Sequence, residues 1–349
     1  MIETILKHIS KFYAPQDYPA LGAELETWRE TKPFAGKRFL DATPPYTNTM
    51  VKYLPLLAGG AELAVGIGEL TPYDPAVPQL LREWGIPVVS PAECADGDFD
   101  VIMDCAGMFA GVGARRGYVE LTRSGLYKYR EIDAPVFFAD AGKIKLIETT
   151  LGTGEGYCRA LRRLGYDLRG KRLLVFGGGK VGRGIALYAL RDGAKVGVAD
   201  FPPLKMPLPE GVEEVDAGDA EAVASAIRNA EFIVSATGVA GALAKHARKL
   251  CAGSAVIANM GVLDEFGDGV PAERVLEAKR PLNFILDEPT HLKYIDPTMA
   301  LDNAGALEVL AGRVGRGVAE PPPELEENIL DTVRRNGAIT EELNWIGRN

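Results

Sequence analysis

Three glycines spaced as Gly177-x-Gly179-x-x-Gly182 carry the most specific chemistry in the chain. An apolar run, Leu173 to Phe176, precedes them and reads as a buried strand. Val181, Ile185, Leu187 and Leu190 follow at helical spacing. In that context each part has a use toward a dinucleotide. Gly177 permits a tight turn, Gly179 lets a pyrophosphate reach the backbone, and Gly182 lets helix and strand pack closely. The helix start, with Lys180 and Val181, offers unpaired N–H groups and a positive dipole end to phosphate. A second strand, Ala194 to Ala199, ends in Asp200, which is placed to accept hydrogen bonds from both ribose hydroxyls of an adenosine. Asp200 would repel the extra phosphate of NADP, and Phe201-Pro202-Pro203 supply no arginine to offset it. The expected cofactor is NAD.

A second set of residues could do acid–base work. Lys145 and Glu148 lie three apart on a predicted helix, so both can face one cleft, and Lys143 lies just upstream. A lysine there could hydrogen-bond a substrate hydroxyl and take its proton; the alternative is a solvated helix face. Asp104 and Asp140 end predicted strands, on the side where α/β sites form, and Glu120 has similar standing; the alternative is helix capping or a turn. His291 could act as acid or base, or sit in a surface loop. Thr47, Asn48 and Thr49 could bind substrate hydroxyls or cap the helix that follows them.

The elements that must carry these groups alternate between strand and helix. Strands are expected at 37–41, 62–66, 87–90, 100–104 and 135–139, then at 172–176, 194–199, 231–236, 254–260 and 282–287. Two helices precede the first strand, one opens at Thr43 to Met50, and another covers 75–84. Residues 142–164 read as a long helical stretch broken at Gly152-Thr153-Gly154, a natural hinge. A helix at Leu307 to Ala311, the Pro321-Pro322-Pro323 break and an amphipathic helix from Glu324 to Arg335 form the tail. The pattern predicts an α/β protein of two domains, a Rossmann-type doubly wound NAD domain inserted in a second α/β domain. The expected boundaries are 1–151, 152–302 and 303–349, the last returning to the first domain or to a partner subunit. The turns Thr237-Gly238 and Asn259-Met260-Gly261 would line the cofactor crevice.

Composition narrows the function classes. The net charge of −9, from 48 acids against 39 bases, disfavours nucleic acid or an anionic membrane as partner. No apolar run approaches the roughly 20 residues of a membrane helix, and the amphipathic start is not a signal peptide, so the expected home is the cytoplasm. Cys94, Cys105, Cys158 and Cys251 are scattered and read as reduced thiols. His8, His246 and His291 lie far apart, so no metal site is expected.

The chain resembles S-adenosylhomocysteine hydrolase along most of its length, in shortened and divergent form. Pro33 to Thr43, Gly85 to Val89, Asp100 to Gly107, Val119 to Tyr127, Asp140 to Glu155 and Gly170 to Gly184 are similar to its segments in order and spacing, as are Ala236-Thr237-Gly238 and Asn259-Met260-Gly261. The resemblance implies a substrate domain, a hinge, a nucleotide domain with tightly held NAD, and a homo-oligomer. It adds Thr122 and Asn303 to the cofactor contacts. It also implies transient oxidation of a ribose hydroxyl, which acidifies the neighbouring C–H and allows elimination. The substrate side departs from the family pattern: its histidines fall at Thr43-Pro44-Pro45 and Val262, and its second aspartate at Cys105.

The expected function is an enzyme using bound NAD to oxidise transiently a hydroxyl of a nucleoside or related polyhydroxylated small molecule. That oxidation would enable elimination, dehydration or hydrolysis, but not authentic S-adenosylhomocysteine hydrolysis. One alternative is an NAD-dependent dehydrogenase with net hydride transfer. The other is a non-catalytic NAD-binding protein.

Overall fold

The computed structural model describes residues 1–94, 98–204 and 206–347. It divides the chain into two compact units, Met1–Lys145 with His291–Asn344, and Leu146–Thr290 with Trp345–Asn349. In chain order the elements are α1 (Ile2–Ile9), α2 (Pro19–Thr31), β1 (Arg38–Asp41), α3 (Thr49–Ala58), β2 (Glu62–Gly66), α4 (Ala76–Glu83), β3 (Val88–Val89), β4 (Phe99–Asp104), β5 (Ala114–Glu120), α5 (Arg123–Tyr129), β6 (Pro135–Phe138) and α6 (Ile144–Leu146). After a π-helical turn, Ile147–Gly152, come α7 (Thr153–Arg163), β7 (Arg172–Phe176), α8 (Lys180–Arg191), β8 (Lys195–Asp200), β9 (Glu213–Asp216), α9 (Ala220–Asn229), β10 (Phe232–Ser235), α10 (Ala247–Ala252) and β11 (Val256–Asn259). The chain ends with α11 (Leu292–Leu310), β12 (Gly317–Ala319), α12 (Pro323–Asn336) and α13 (Thr340–Gly347).

The first unit is built on a parallel sheet of order β12-β6-β5-β4-β1-β2-β3. The chain runs outward from β1 through β2 to β3, then returns to the other side of β1 with β4. The switch point therefore lies between β1 and β4, whose last residues are Asp41 and Asp104, and the crevice outside such a point is where α/β sheets take ligands. Leu40, Ile102, Tyr118 and Val136 fill one core with Phe109 and Tyr129. Helix α11 is buried almost all round, and its Asp296 accepts from the Ala20 and Leu21 N–H groups at 3.0 Å each. This carboxylate satisfies the orphan donors at the start of α2, which has no side-chain cap of its own.

The second unit is a parallel sheet of order β11-β10-β7-β8-β9. Its core gathers Leu174, Phe176, Ile233, Ile257, Val223 and Phe266. The switch point falls between β7 and β10, beside the glycine loop.

Several expectations need correction. Residues 282–287 form no strand; Leu282–Ile285 is a 3₁₀ turn after Pro281, which makes only an isolated bridge to Asn259. The Gly152–Gly154 stretch is not a break in helical structure. The π-turn passes straight into α7, and its glycines serve packing: a Cβ on Gly154 would overlap the Gly184 backbone, and one on Gly184 would overlap the Thr150 carbonyl. The late helix expected at 307–311 begins at Leu292, with Pro297 inside it. The chain accordingly re-enters the first unit at His291 rather than near 303, and leaves it after Lys145 rather than 151. Strands β5, β9 and β12 had no counterpart among the expected ones. Among the described residues no helix is long and apolar enough to cross a membrane.

Candidate functional site

In the second unit the glycine loop behaves as its spacing demands. Gly177 has φ +98°, and a Cβ there would lie 2.6 Å from the Ala236 carbonyl. A Cβ on Gly182 would overlap the Gly177 carbonyl, so strand and helix meet through glycine. Gly179, the extended N-cap of α8, has nothing within 4 Å of its would-be Cβ. The loop is open there, beside the unpaired N–H groups of the first helical turn, where Lys180 and Val181 are half-buried. Asp200 ends β8, and its Oδ2 accepts from the Gly178 N–H at 2.7 Å while Oδ1 accepts from Phe201 N–H at 2.7 Å. Thr237 and Gly238 follow β10, and Asn259 and Gly261 end β11 and open its turn. The open glycine face at the start of α8, with an acid ending the next strand, has the form of a dinucleotide loop.

In the first unit, parallel strands bring Asp41, Asp104, Glu120 and, just past β6, Asp140 to one edge. Asp41 accepts from the Thr43 N–H at 2.8 Å, and Asp104 and Glu120 each hold several backbone N–H groups. Asp104 is fully buried and accepts from the N–H groups of Cys105 (2.7 Å), Met108 (3.1 Å) and Phe109 (2.8 Å), and from the Tyr129 hydroxyl at 2.5 Å. Glu120, also fully buried, accepts from Ala106, Gly107 and Thr122 N–H (3.1, 3.1 and 2.8 Å) and from the Thr122 hydroxyl at 2.5 Å. The loop they clamp has positive φ at Ala106 (60°) and Gly107 (61°). Lys128 closes it by donating to both carbonyls, at 3.3 and 2.9 Å. Burial pushes Asp104 up to about 6 against the pull of its donors. Burial, helped by the neighbouring Asp104, pushes Glu120 up to about 8.

Lys145 is buried, with Nζ 3.7 Å from Asp140 Oδ1 and 3.4 Å from the Leu121 carbonyl. Arg123 Nε lies 3.7 Å from the other Asp140 oxygen. Lys143 points elsewhere: its side chain is 73% exposed and its Nζ is 3.8 Å from Glu327. The two lysines that the sequence leaves interchangeable are thus separated by burial. Ile144 N–H donates to buried Glu326 of α12 at 2.9 Å, which ties down the segment that carries Lys145.

The remaining candidates spread out. Glu148 falls in the second unit, half-buried on the π-turn, and its carbonyl accepts from the Thr153 hydroxyl at 3.4 Å. His291 is the half-buried N-cap of α11 in the first unit. Thr122 caps α5, accepting from Gly125 N–H at 3.3 Å. Thr49 is buried at the entry to α3 and donates to the Pro44 carbonyl at 2.7 Å. Asn48 is buried beside it, and Thr47 is half-buried. Asn303 is buried in the first unit, its amide donating to Glu24 at 3.1 Å and to the Lys52 carbonyl at 3.2 Å.

Sequence reasoning missed a group at the same switch point. Lys52 of α3 is fully buried, with Nζ 2.5 Å from Asp41 Oδ2, 2.5 Å from Asp302 Oδ2 and 2.7 Å from Thr43 Oγ1. Burial opposes its charge, but Asp302 and Asp41 outweigh that and hold its pKa above the ordinary lysine value. Burial lifts Asp302 to about 6 despite Lys52. A lone lysine inside the apolar run Met50 to Ala58 was the signal. Glu265 is the other omission: it is fully buried, between the turns that carry Thr237 and Gly261.

No family model matches the chain. The adenosylhomocysteinase of Thermotoga maritima is 31% identical over 171 residues, covering 46% of this chain and 40% of that protein. That of Thermoplasma acidophilum is 23% identical over 332 residues, covering 86% and 77%. The S-inosyl-L-homocysteine hydrolase of Methanopyrus kandleri is 29% identical over 245 residues, covering 58% of each. The chain thus spans less than two thirds of the first and third of these relatives. Among solved structures, a dipicolinate synthase chain from Bacillus halodurans has a TM-score of 0.49 at 12% identity, covering 78% of this chain and 98% of that one. Transhydrogenase from Sinorhizobium meliloti has a TM-score of 0.45 at 15% identity, covering 77% and 95%. The chain is a distant homologue of the S-adenosylhomocysteine hydrolase family, with a Rossmann-like unit that has the capacity to bind NAD.

Proposed function

We propose that the chain is an NAD-dependent enzyme that transfers a hydride, as a net reaction, from a hydroxyl-bearing carbon of a small polyhydroxylated substrate. The observation that carries this reading is the division of labour among its buried acids and bases. Asp104 and Glu120 are taken up by loop donors, whereas Lys145 is held beside Asp140 at the carboxyl edge of the sheet. Oxidising a hydroxyl needs one group to take the hydroxyl proton. Elimination needs a further acid or base, to remove a C–H proton and to protonate the leaving group. When bound, NAD supplies a hydride acceptor. Lys145 would hydrogen-bond the reacting oxygen and exchange its proton. Asp140 would hold the Lys145 amino group in position. Asp200 would orient the adenosine ribose, and the first turn of α8 the pyrophosphate.

Homology to adenosylhomocysteinases and to an S-inosyl-L-homocysteine hydrolase favours a second reading, in which the oxidation is transient and drives elimination or hydrolysis of a nucleoside-like substrate. One experiment separates the two. Purified protein is mixed with nucleosides and polyols, with and without added NAD, while reduced nicotinamide absorbance and product mass are followed. NADH accumulating with product, only when NAD is added, supports net transfer. Product exceeding a sub-stoichiometric absorbance band supports the recycled reaction. A cofactor-loaded protein that shows neither with any substrate supports a non-catalytic role. Lys145→Met should abolish the signal while NAD still binds, and Lys143→Met should leave it intact; equal loss in both would remove Lys145 from its assigned place.

A further inference from the structure

We infer that Glu265 is a positioning residue for the nicotinamide half of the cofactor, and that it discriminates that half from the rest of the molecule. The inference rests on the NAD reading above. Sheet order gives the direction. Phosphate belongs at the start of α8, after β7, and the adenosine ribose at Asp200, at the end of β8. A dinucleotide crosses the switch point, so its other half lies over the turns after β10 and β11 on the far side of β7.

Glu265 ties these two turns into one body. Its side chain, fully buried, comes from the β11 turn and reaches under the β10 turn. Oε2 accepts from the Thr237 N–H at 2.8 Å, the Thr237 hydroxyl at 2.8 Å and the Ser235 hydroxyl, and Oε1 accepts from the Gly238 N–H at 2.7 Å. A Cβ on Gly261 would overlap Oε1, so the close approach depends on glycine there. Asn259 braces the same turn: its amide donates to the carbonyls of Gly261 (3.0 Å), Leu263 (2.9 Å) and Lys279 (2.7 Å).

Two consequences follow from this arrangement. The turn is rigid before any ligand arrives, which lowers the ordering cost of binding. The two amides and the hydroxyl proton of Thr237-Gly238 are already given to Glu265. They are therefore not available to the ligand, and Thr237 acts here as a structural donor rather than as a ligand donor. The same buried network is expensive to leave half-satisfied. Glu265→Gln keeps the shape but turns an NH₂ group toward N–H and O–H donors, so one side of the clamp must open.

The test compares NADH with ADP-ribose, which lacks the nicotinamide, on the full-length protein. Affinities are read by calorimetry, and NADH also by its fluorescence. Glu265→Gln should weaken NADH about tenfold or more, blue-shift or quench its bound fluorescence less, and leave ADP-ribose within about threefold. Ser235→Ala removes a single donor from the carboxylate in a buried strand and should shift the same ratio in the same direction, by about threefold. Asp200→Ala should weaken both ligands together. Equal loss of NADH and ADP-ribose in Glu265→Gln, or a lower melting temperature with an unchanged ratio in both variants, would overturn the positioning role and leave the NAD reading standing. An unmodified protein that binds neither ligand would overturn both.

Discussion

Replacing Lys52 by methionine removes the ammonium that Asp41 and Asp302 share in the interior of the first unit. Methionine matches the length of the stem and leaves the apolar contacts of α3 in place, so the change is mainly one of charge. All three ionisable side chains are fully buried, and both carboxylates lie 2.5 Å from Nζ. Removing one member of such a group costs about 3–5 kcal/mol, because the remaining charges are left without compensation. In a unit of about 200 residues, each kcal/mol is worth roughly 2–4 °C, so the melting temperature should fall by roughly 10 °C. The sign with pH is distinctive. Burial already holds Asp302 at about 6, above its ordinary 3.8, with Lys52 opposing the rise. Without Lys52 the native state takes up a proton more readily than the unfolded chain, so the penalty is full above neutrality and shrinks as pH falls. Urea unfolding of wild type and Lys52→Met at pH 5.5 and 7.5 reads this directly. Adding Asp302→Asn to the lysine variant should recover part of the loss at pH 7.5. A lysine variant within 1 kcal/mol of wild type at pH 7.5, or equally destabilised at both pH values, would refute the reasoning.

Three other outcomes are expected. Gly184→Ala should destabilise the second unit by about 1–3 kcal/mol by overpacking, although alanine ordinarily favours a helix interior by about 1 kcal/mol, because the new Cβ would overlap the Thr150 carbonyl; a higher melting temperature would contradict the close helix crossing. Asp200→Asn should weaken NAD about 10- to 100-fold, the worth of a charged hydrogen bond, as measured by calorimetry, and an unchanged affinity would place the ribose elsewhere. Asp104 and Glu120 are raised by burial to about 6 and about 8 from 3.8 and 4.5. The native state therefore binds more protons than the unfolded chain across that window, and stability should decline as pH rises from about 4 to 8; Asp104 alone accounts for at most about 3 kcal/mol. Urea midpoints that rise over the same range would show the carboxylates to be ionised throughout.

The glycine loop was legible because its requirements are local. A positive φ at Gly177, a helix that starts three residues later and an acid at the end of the next strand are all set by residues within one βαβ unit. The same holds for the alternation of strands and helices, whose periodicities differ at short range. Asp104 was legible as a strand-end acid and Glu120 as a further candidate acid, but neither as a loop clamp. Their donors lie on a left-handed loop that no propensity foretells, at Ala106 above all. Pro297 obscured the first half of α11, since proline inside a helix breaks the local pattern while burial on every side holds the helix together.

What the sequence determined by itself is the α/β class, the alternation of most of its strands and helices and the position of the glycine loop, because those follow from spacing along a few dozen residues. Tertiary structure alone decided which polar groups are buried and which partners they meet. Lys145 differs from Lys143 by burial against Asp140, not by its neighbours in the chain. Lys52 meets Asp302 across 250 residues, and Asp296 caps a helix some 275 residues away. Thr237 and Glu265, 28 positions apart, close one clamp. A side chain's partners depend on which strand ends the sheet topology brings to one edge, and that information is spread over the whole chain rather than written around any single residue.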